Sequence, residues 1–90
     1  MREADTNTDI QALALHALVW TLEEPRRAER LIALTGLSPE DLRARIGDPV
    51  VLGACLAFLE GHEPDLIACA AAIGVTPERL VAVRRALEAA

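Results

Sequence analysis

Two stretches of this chain would be apolar on every side if helical. From Ala12 to Leu22 only His16 and Thr21 are polar, and from Pro49 to Leu59 no residue is charged. Elsewhere the pattern is one-sided. Ala28, Leu31, Ile32 and Thr35 share one face of a helix, with Arg26, Arg27 and Arg30 off it; Leu80, Val83 and Leu87 share another, with Arg84, Arg85 and Glu88 opposite. Five prolines punctuate these blocks, at positions 25, 39, 49, 64 and 77, and proline is favoured at the first position of a helix. Ser38, Asp48 and Thr76, each just before a proline, are good N-caps. The pattern therefore predicts six helices, at roughly 9–23, 25–35, 39–46, 49–60, 64–73 and 77–88.

One corner occurs twice, 38 residues apart: Gly36-Leu37-Ser38-Pro39-Glu40-Asp41-Leu42 and Gly74-Val75-Thr76-Pro77-Glu78-Arg79-Leu80. Glycine just past a helix accepts the left-handed conformation, and the hydroxyl then caps the next helix. Leu37 with Leu42, and Val75 with Leu80, have the spacing of a hydrophobic staple. Leu18-Val19-Trp20 and Leu56-Ala57-Phe58 repeat at the same offset. The expected fold is all-α: a compact bundle of about six short helices in two pseudo-repeated units, 9–46 and 49–88. Residues 1–8 are expected to be disordered or frayed, with residues 9–90 forming a single domain.

Composition agrees with helix throughout. The 90 residues include 17 alanines and 14 leucines, against 11 valines and isoleucines together, no tyrosine and only two aromatic residues. Fourteen acidic residues face nine arginines and no lysine, for a net charge of −5. That balance repels phosphate backbones and argues against nucleic-acid or anionic-membrane partners. The apolar run Ile10–Leu22 is thirteen residues long, short of the roughly 20 that span a bilayer. It lacks the flanks of an export signal, because Arg2 is outweighed by Glu3, Asp5 and Asp9. A cytoplasmic protein is the expectation.

Chemistry is sparse. Cys55 and Cys69 lie on consecutive helices without metal-ligand or disulfide-scaffold spacing, so the expected role is two small core residues. His62, with Glu60, Glu63 and Asp65 nearby in sequence, reads as a solvated turn with carboxylates at a helix start. Arg26, Arg27 and Arg30, mixed with Glu23, Glu24 and Glu29, read as a solvated helix face. No nucleophile, base or ligand set presents itself, so no enzyme, cofactor or metal is expected.

Residues 70–83 resemble the helix-turn-helix of bacterial DNA-binding proteins, with Ala70, Gly74, Val75, Leu80 and Val83 at the matching places. In that reading Thr76, Glu78, Arg79 and Ala82 would face DNA. One arginine beside a glutamate is a poor reader of base edges. The string Leu34-Thr35-Gly36-Leu37-Ser38-Pro39-Glu40-Asp41-Leu42-Arg43, with Gly47-Asp48-Pro49, Phe58-Leu59 and Gly74-Val75-Thr76-Pro77-Glu78, resembles a further group. This is a family of short bacterial proteins, mostly alphaproteobacterial, catalogued as domain of unknown function 3572. The resemblance runs from about residue 9 to 88 and implies a stand-alone helical protein with no assigned activity and no defined catalytic residues.

The leading expectation is a protein–protein interaction module, with an unidentified partner or as a homodimer, because two all-apolar helices strain the interior of so small a domain. The surface expected to carry it is Leu15, His16, Val19 and Trp20. The alternatives are a DNA-binding regulator using residues 66–88 and a small-ligand pocket in an alanine-rich interior.

Overall fold

Each of the five prolines stands in the first turn of a helix. The computed structural model describes the backbone of residues 3–89 and the side chains of residues 9–89. Six helices follow in order: α1 (Glu3–Glu23), α2 (Pro25–Thr35), α3 (Pro39–Ala44), α4 (Pro49–Glu60), α5 (Glu63–Ile73) and α6 (Pro77–Ala89). No strand occurs among the described residues.

Two boundaries differ from expectation by more than one residue. Helix α1 begins at Glu3 rather than residue 9, and residues 1 and 2 lie outside the described residues. Helix α3 stops at Ala44, two residues early. Arg45 leaves helical geometry at φ −116° while its N–H still donates to the Asp41 carbonyl.

The caps are those the sequence encodes. Ser38 and Asp41 exchange hydrogen bonds in a reciprocal capping box, with Asp41 N–H donating to Ser38 Oγ at 3.0 Å and Ser38 N–H donating to Asp41 Oδ2 at 3.1 Å. Asp48 accepts from Val50 N–H at 2.9 Å, and Thr76 accepts from Arg79 N–H at 3.1 Å. One cap was not foreseen: Glu24 accepts from Arg27 N–H at 2.8 Å and starts α2. The backbone hydrogen bonds from Ser38 and Val50 hold the Asp41 and Asp48 carboxyls below the usual carboxylate range, with Arg45 adding to both. Both groups support the fold at neutral pH, and that support is lost as pH falls through their lowered native values.

Gly36 and Gly74 take the left-handed conformation at φ 76° and 82°, as the repeated corner requires. Replacing Gly74 by alanine is expected to cost about 1–2 kcal/mol through this backbone strain, read as a lower midpoint in thermal unfolding. An unchanged midpoint would show that the corner relaxes without cost. Beyond the corners the halves diverge, since α3 has six residues and α6 has 13.

The interior is organised around α4, which packs against α1, α2, α5 and most extensively α6. Val51, Leu52, Cys55, Leu56, Phe58 and Leu59 of α4 are buried. Helix α1 presents Ala14, Ala17, Leu18 and Thr21, a stripe at helical spacing whose two alanines let α4 approach closely. Thr21 is fully buried, and its hydroxyl is satisfied by the Ala17 carbonyl at 2.8 Å. Leu66, Cys69 and Ala70 from α5 and Leu80, Val83 and Leu87 from α6 complete the core. The radius of gyration is 12.3 Å, against about 12 Å for a compact domain of this length. No single helix among the described residues is long and apolar enough to cross a membrane.

Candidate interaction face

Helix α4 buries seven of its twelve residues, and what remains outside is also apolar. Val50, Ala54 and Ala57 recur at helical spacing along its outer side; Val50 and Ala57 are exposed and Ala54 is half-buried. Val50 is 71% exposed, and so is Leu34 on α2 across a shallow groove. That groove encloses about 480 Å³ and is lined by Leu34, Leu37, Arg45, Val50, Ala54 and Phe58 among others. A second groove of about 640 Å³ runs along the other side of Val50, lined by Pro49, Gly53, Ala54, Ala57, Leu87 and Glu88. The α4 face is therefore a ridge between two open, largely apolar grooves.

The residues expected to form the interaction surface are divided. His16, Val19 and Trp20 line one cleft with Glu23, Ala72 and Ile73, whereas Leu15 lines another with Gln11, Ala12, Ile46 and Leu52. His16 is exposed, Val19 is 44% exposed, and Leu15 and Trp20 are half-buried. Arg27 accounts for the partial cover of Trp20. Its guanidinium carbon lies 3.7 Å from the ring centroid, and Nη2 donates to the Trp20 carbonyl at 2.7 Å. Nε of Arg27 is buried without a hydrogen-bond partner.

Arg30, three residues on, stands over the Phe58 ring at 5.6 Å and donates to Asp65 Oδ2 at 2.8 Å. The chain's two aromatic residues thus each carry an arginine of α2 over the ring. This corrects the picture of a merely solvated arginine face, because Arg27 and Arg30 tie α2 to α1, α4 and α5.

The turn around His62 is likewise more connected than expected. His62 Nδ1 lies 3.1 Å from Asp65 Oδ2, the same oxygen that accepts from Arg30. Glu60 pairs instead with Arg84 on α6, which also donates to Glu88 at 2.7 Å. Those hydrogen bonds, Glu60 first, raise the Arg84 guanidinium above its ordinary value. Among the described residues no three histidine, cysteine or carboxylate side chains gather as a metal site would require.

Both cysteines are buried, unpaired thiols. The Cys55 thiol donates to Thr21 Oγ1 at 3.6 Å; burial pushes its pKa up to about 12, and that of Cys69 to about 11. Neither is a nucleophile at neutral pH.

Thr76, Glu78, Arg79 and Ala82 are all exposed at the start of α6. Helices α5 and α6 meet at 96° across Gly74-Val75-Thr76, within the range of a helix-turn-helix corner. The hydroxyl of Thr76 is engaged as the α6 cap.

Residues 7–90 match the family described as "Protein of unknown function (DUF3572)". The chain belongs to the DUF3572 family. Its description names no activity, so membership assigns no role to any residue here. Comparisons with curated proteins and with solved structures gave no match.

Sequence reasoning pointed to apolar surface on the fourth helix without naming its residues; in this DUF3572 member that face is Val50, Ala54 and Ala57, with Leu34 of α2 across the groove. A signal for it exists. Leu34 falls outside the inward stripe Ala28–Leu31–Ile32–Thr35, and an all-apolar α4 cannot bury every side.

Proposed function

We propose that the chain is a protein–protein interaction module without catalytic activity, and that it docks its partner along the outer stripe of α4. The observation that carries this reading is Gly53. It lies mid-helix, itself buried but bordering the second groove, where glycine costs about 1 kcal/mol relative to alanine. A methyl group there would meet nothing within 4 Å, so no neighbour inside the chain demands its absence. Glycine in such a place suits a second backbone that approaches closely. Ala54 and Ala57 continue the low floor, and Val50 and Leu34 stand up from it as knobs for a partner's grooves. A second copy of this chain, or an amphipathic helix of another protein, fits that relief.

The substitution Gly53→Ala separates folding from docking. In the isolated chain it is expected to stabilise by about 0.5–1 kcal/mol, raising the melting midpoint. In complex it fills the floor and weakens association at least about tenfold, the effect of an overpacked contact. Light scattering over a concentration series reads self-association. Capture from the native host, compared between wild type and a Leu34→Glu, Val50→Glu double variant, reads a foreign partner. A monomer whose captured proteins are unchanged by both variants would end the proposal.

A second reading has one observation in its favour, the 96° corner with Thr76, Glu78, Arg79 and Ala82 exposed on α6. It is a DNA-binding regulator using residues 66–88. The charge of −5 opposes it. Titration against mixed duplex DNA at low salt, where electrostatic attraction is strongest, tests it; absence of binding there removes it.

A further inference from the structure

Helix α3 and its flanks, residues 37–47, are attached to the rest of the molecule unlike any other element. Every other helix has at least one substantial interface with another, and α3 has none. Every side-chain hydrogen bond described for residues 37–47 stays within residues 35–50: Leu37 to Thr35, Ser38 with Asp41, Arg45 to Asp48. No ion pair crosses from it to α1, α2, α5 or α6 among the described residues, whereas Arg30–Asp65 and Arg84–Glu60 tie the others together.

Only one side chain of the segment, Leu42, is buried; Leu37 is half-buried and Ile46 is 40% exposed. Leu42 is 4% exposed, yet it lies outside the main cluster of buried residues. It borders instead a crevice of about 240 Å³, whose wall it shares with Leu22, Ala28, Ile32 and Ile46. Gaps surround the segment on its other sides as well: Ile46 and Gly47 border one cleft, and Leu37 and Arg45 border the groove beside α4. Glycines mark its ends, Gly36 just before it and Gly47 as its last residue, and Gly36 already holds a positive φ.

From this arrangement we propose that residues 37–47 form a hinged strap. It opens as a unit about Gly36 and Gly47 while the five-helix remainder stays folded, and it bares the apolar crevice floored by Leu22, Ala28 and Ile32. Segments with few buried contacts and purely local hydrogen bonds open sub-globally, below the free energy of global unfolding. The strap also forms one wall of the α4 groove, so its opening widens that groove; the inference holds whether or not anything docks there.

Native-state hydrogen exchange on the full chain, with increasing sub-denaturing urea, tests it. The amides of Leu42 and Arg45, which donate to the Ser38 and Asp41 carbonyls, are the reporters. Leu56 on α4 and Val83 on α6 serve as core references. The reporters are expected to be protected about 100-fold less than the references and to show little urea dependence, because their opening exposes little surface. Leu42→Ala is expected to speed the reporters by about thirtyfold while leaving the references unchanged. Reporters that share the protection and urea slope of the core would overturn the strap. Core amides that accelerate with Leu42→Ala would overturn it equally.

Discussion

Leu56→Ala is expected to remove about 3–5 kcal/mol of stability, the cost of a leucine-sized cavity in a well-packed core. Leu56 is fully buried on the helix that every other helix but α3 packs against. A chain of this length has about 5–13 kcal/mol in total, so the variant loses a large share of it. The midpoint of thermal unfolding should fall by roughly 12–40 °C, at 4–8 °C per kcal/mol. Val50→Ala, six residues earlier on the same helix, is the control: its side chain is largely exposed, and the change should fall within about 0.5 kcal/mol. Circular-dichroism melts of the two variants decide the matter. Equal midpoints would mean that α4 is not the centre of the core.

Alkaline pH is the second strong lever. An unfolded thiol ionises near 9.0, whereas burial moves Cys55 to about 12 and Cys69 to about 11. The native state therefore retains both protons where the unfolded state has lost them. Stability is intact below pH 9 and declines above it, by up to about 1.4 kcal/mol per pH unit for each thiol. At pH 11 the two together cost on the order of 5 kcal/mol. Composition makes the experiment clean, because the chain contains no lysine and no tyrosine, so no other side chain titrates between pH 9 and 12. Urea unfolding from pH 8 to pH 11 should show the decline. A Cys55→Ala, Cys69→Ala double variant, though less stable at pH 8, should show almost none. An identical slope in the two proteins would refute the assignment.

The corners and helix starts were legible because they are local. Gly36, Ser38, Gly74 and Thr76 do in the fold what their neighbours in sequence require, and the five prolines mark five helix starts within a residue. The all-helical class followed from the same signals. What sequence alone could not supply was the distribution of apolar surface between inside and outside. Helix α1 looked apolar all round, yet among the described residues its buried stripe is Ala14, Ala17, Leu18 and Thr21, and two alanines in it mark close packing rather than spare surface. Trp20 looked available because no sequence rule places an arginine from the next helix over an indole. Leu15 and Val19 are four residues apart, but the neighbours that separate them into different clefts, Ile46 and Ile73, come from α3's C-terminal flank and α5. Those are tertiary facts with no periodicity to announce them. The family match carries the same division, since it covers residues 7–90 and names no activity.

The stacking of Arg27 on Trp20 has an optical corollary. Trp20 is the chain's sole indole, so ultraviolet emission watches one elbow of the molecule, where the first rod meets the second. Far-ultraviolet ellipticity, by contrast, averages over all six rods. When the two signals are followed through the same melt, any interval between their midpoints measures how far that elbow loosens ahead of, or behind, the remainder.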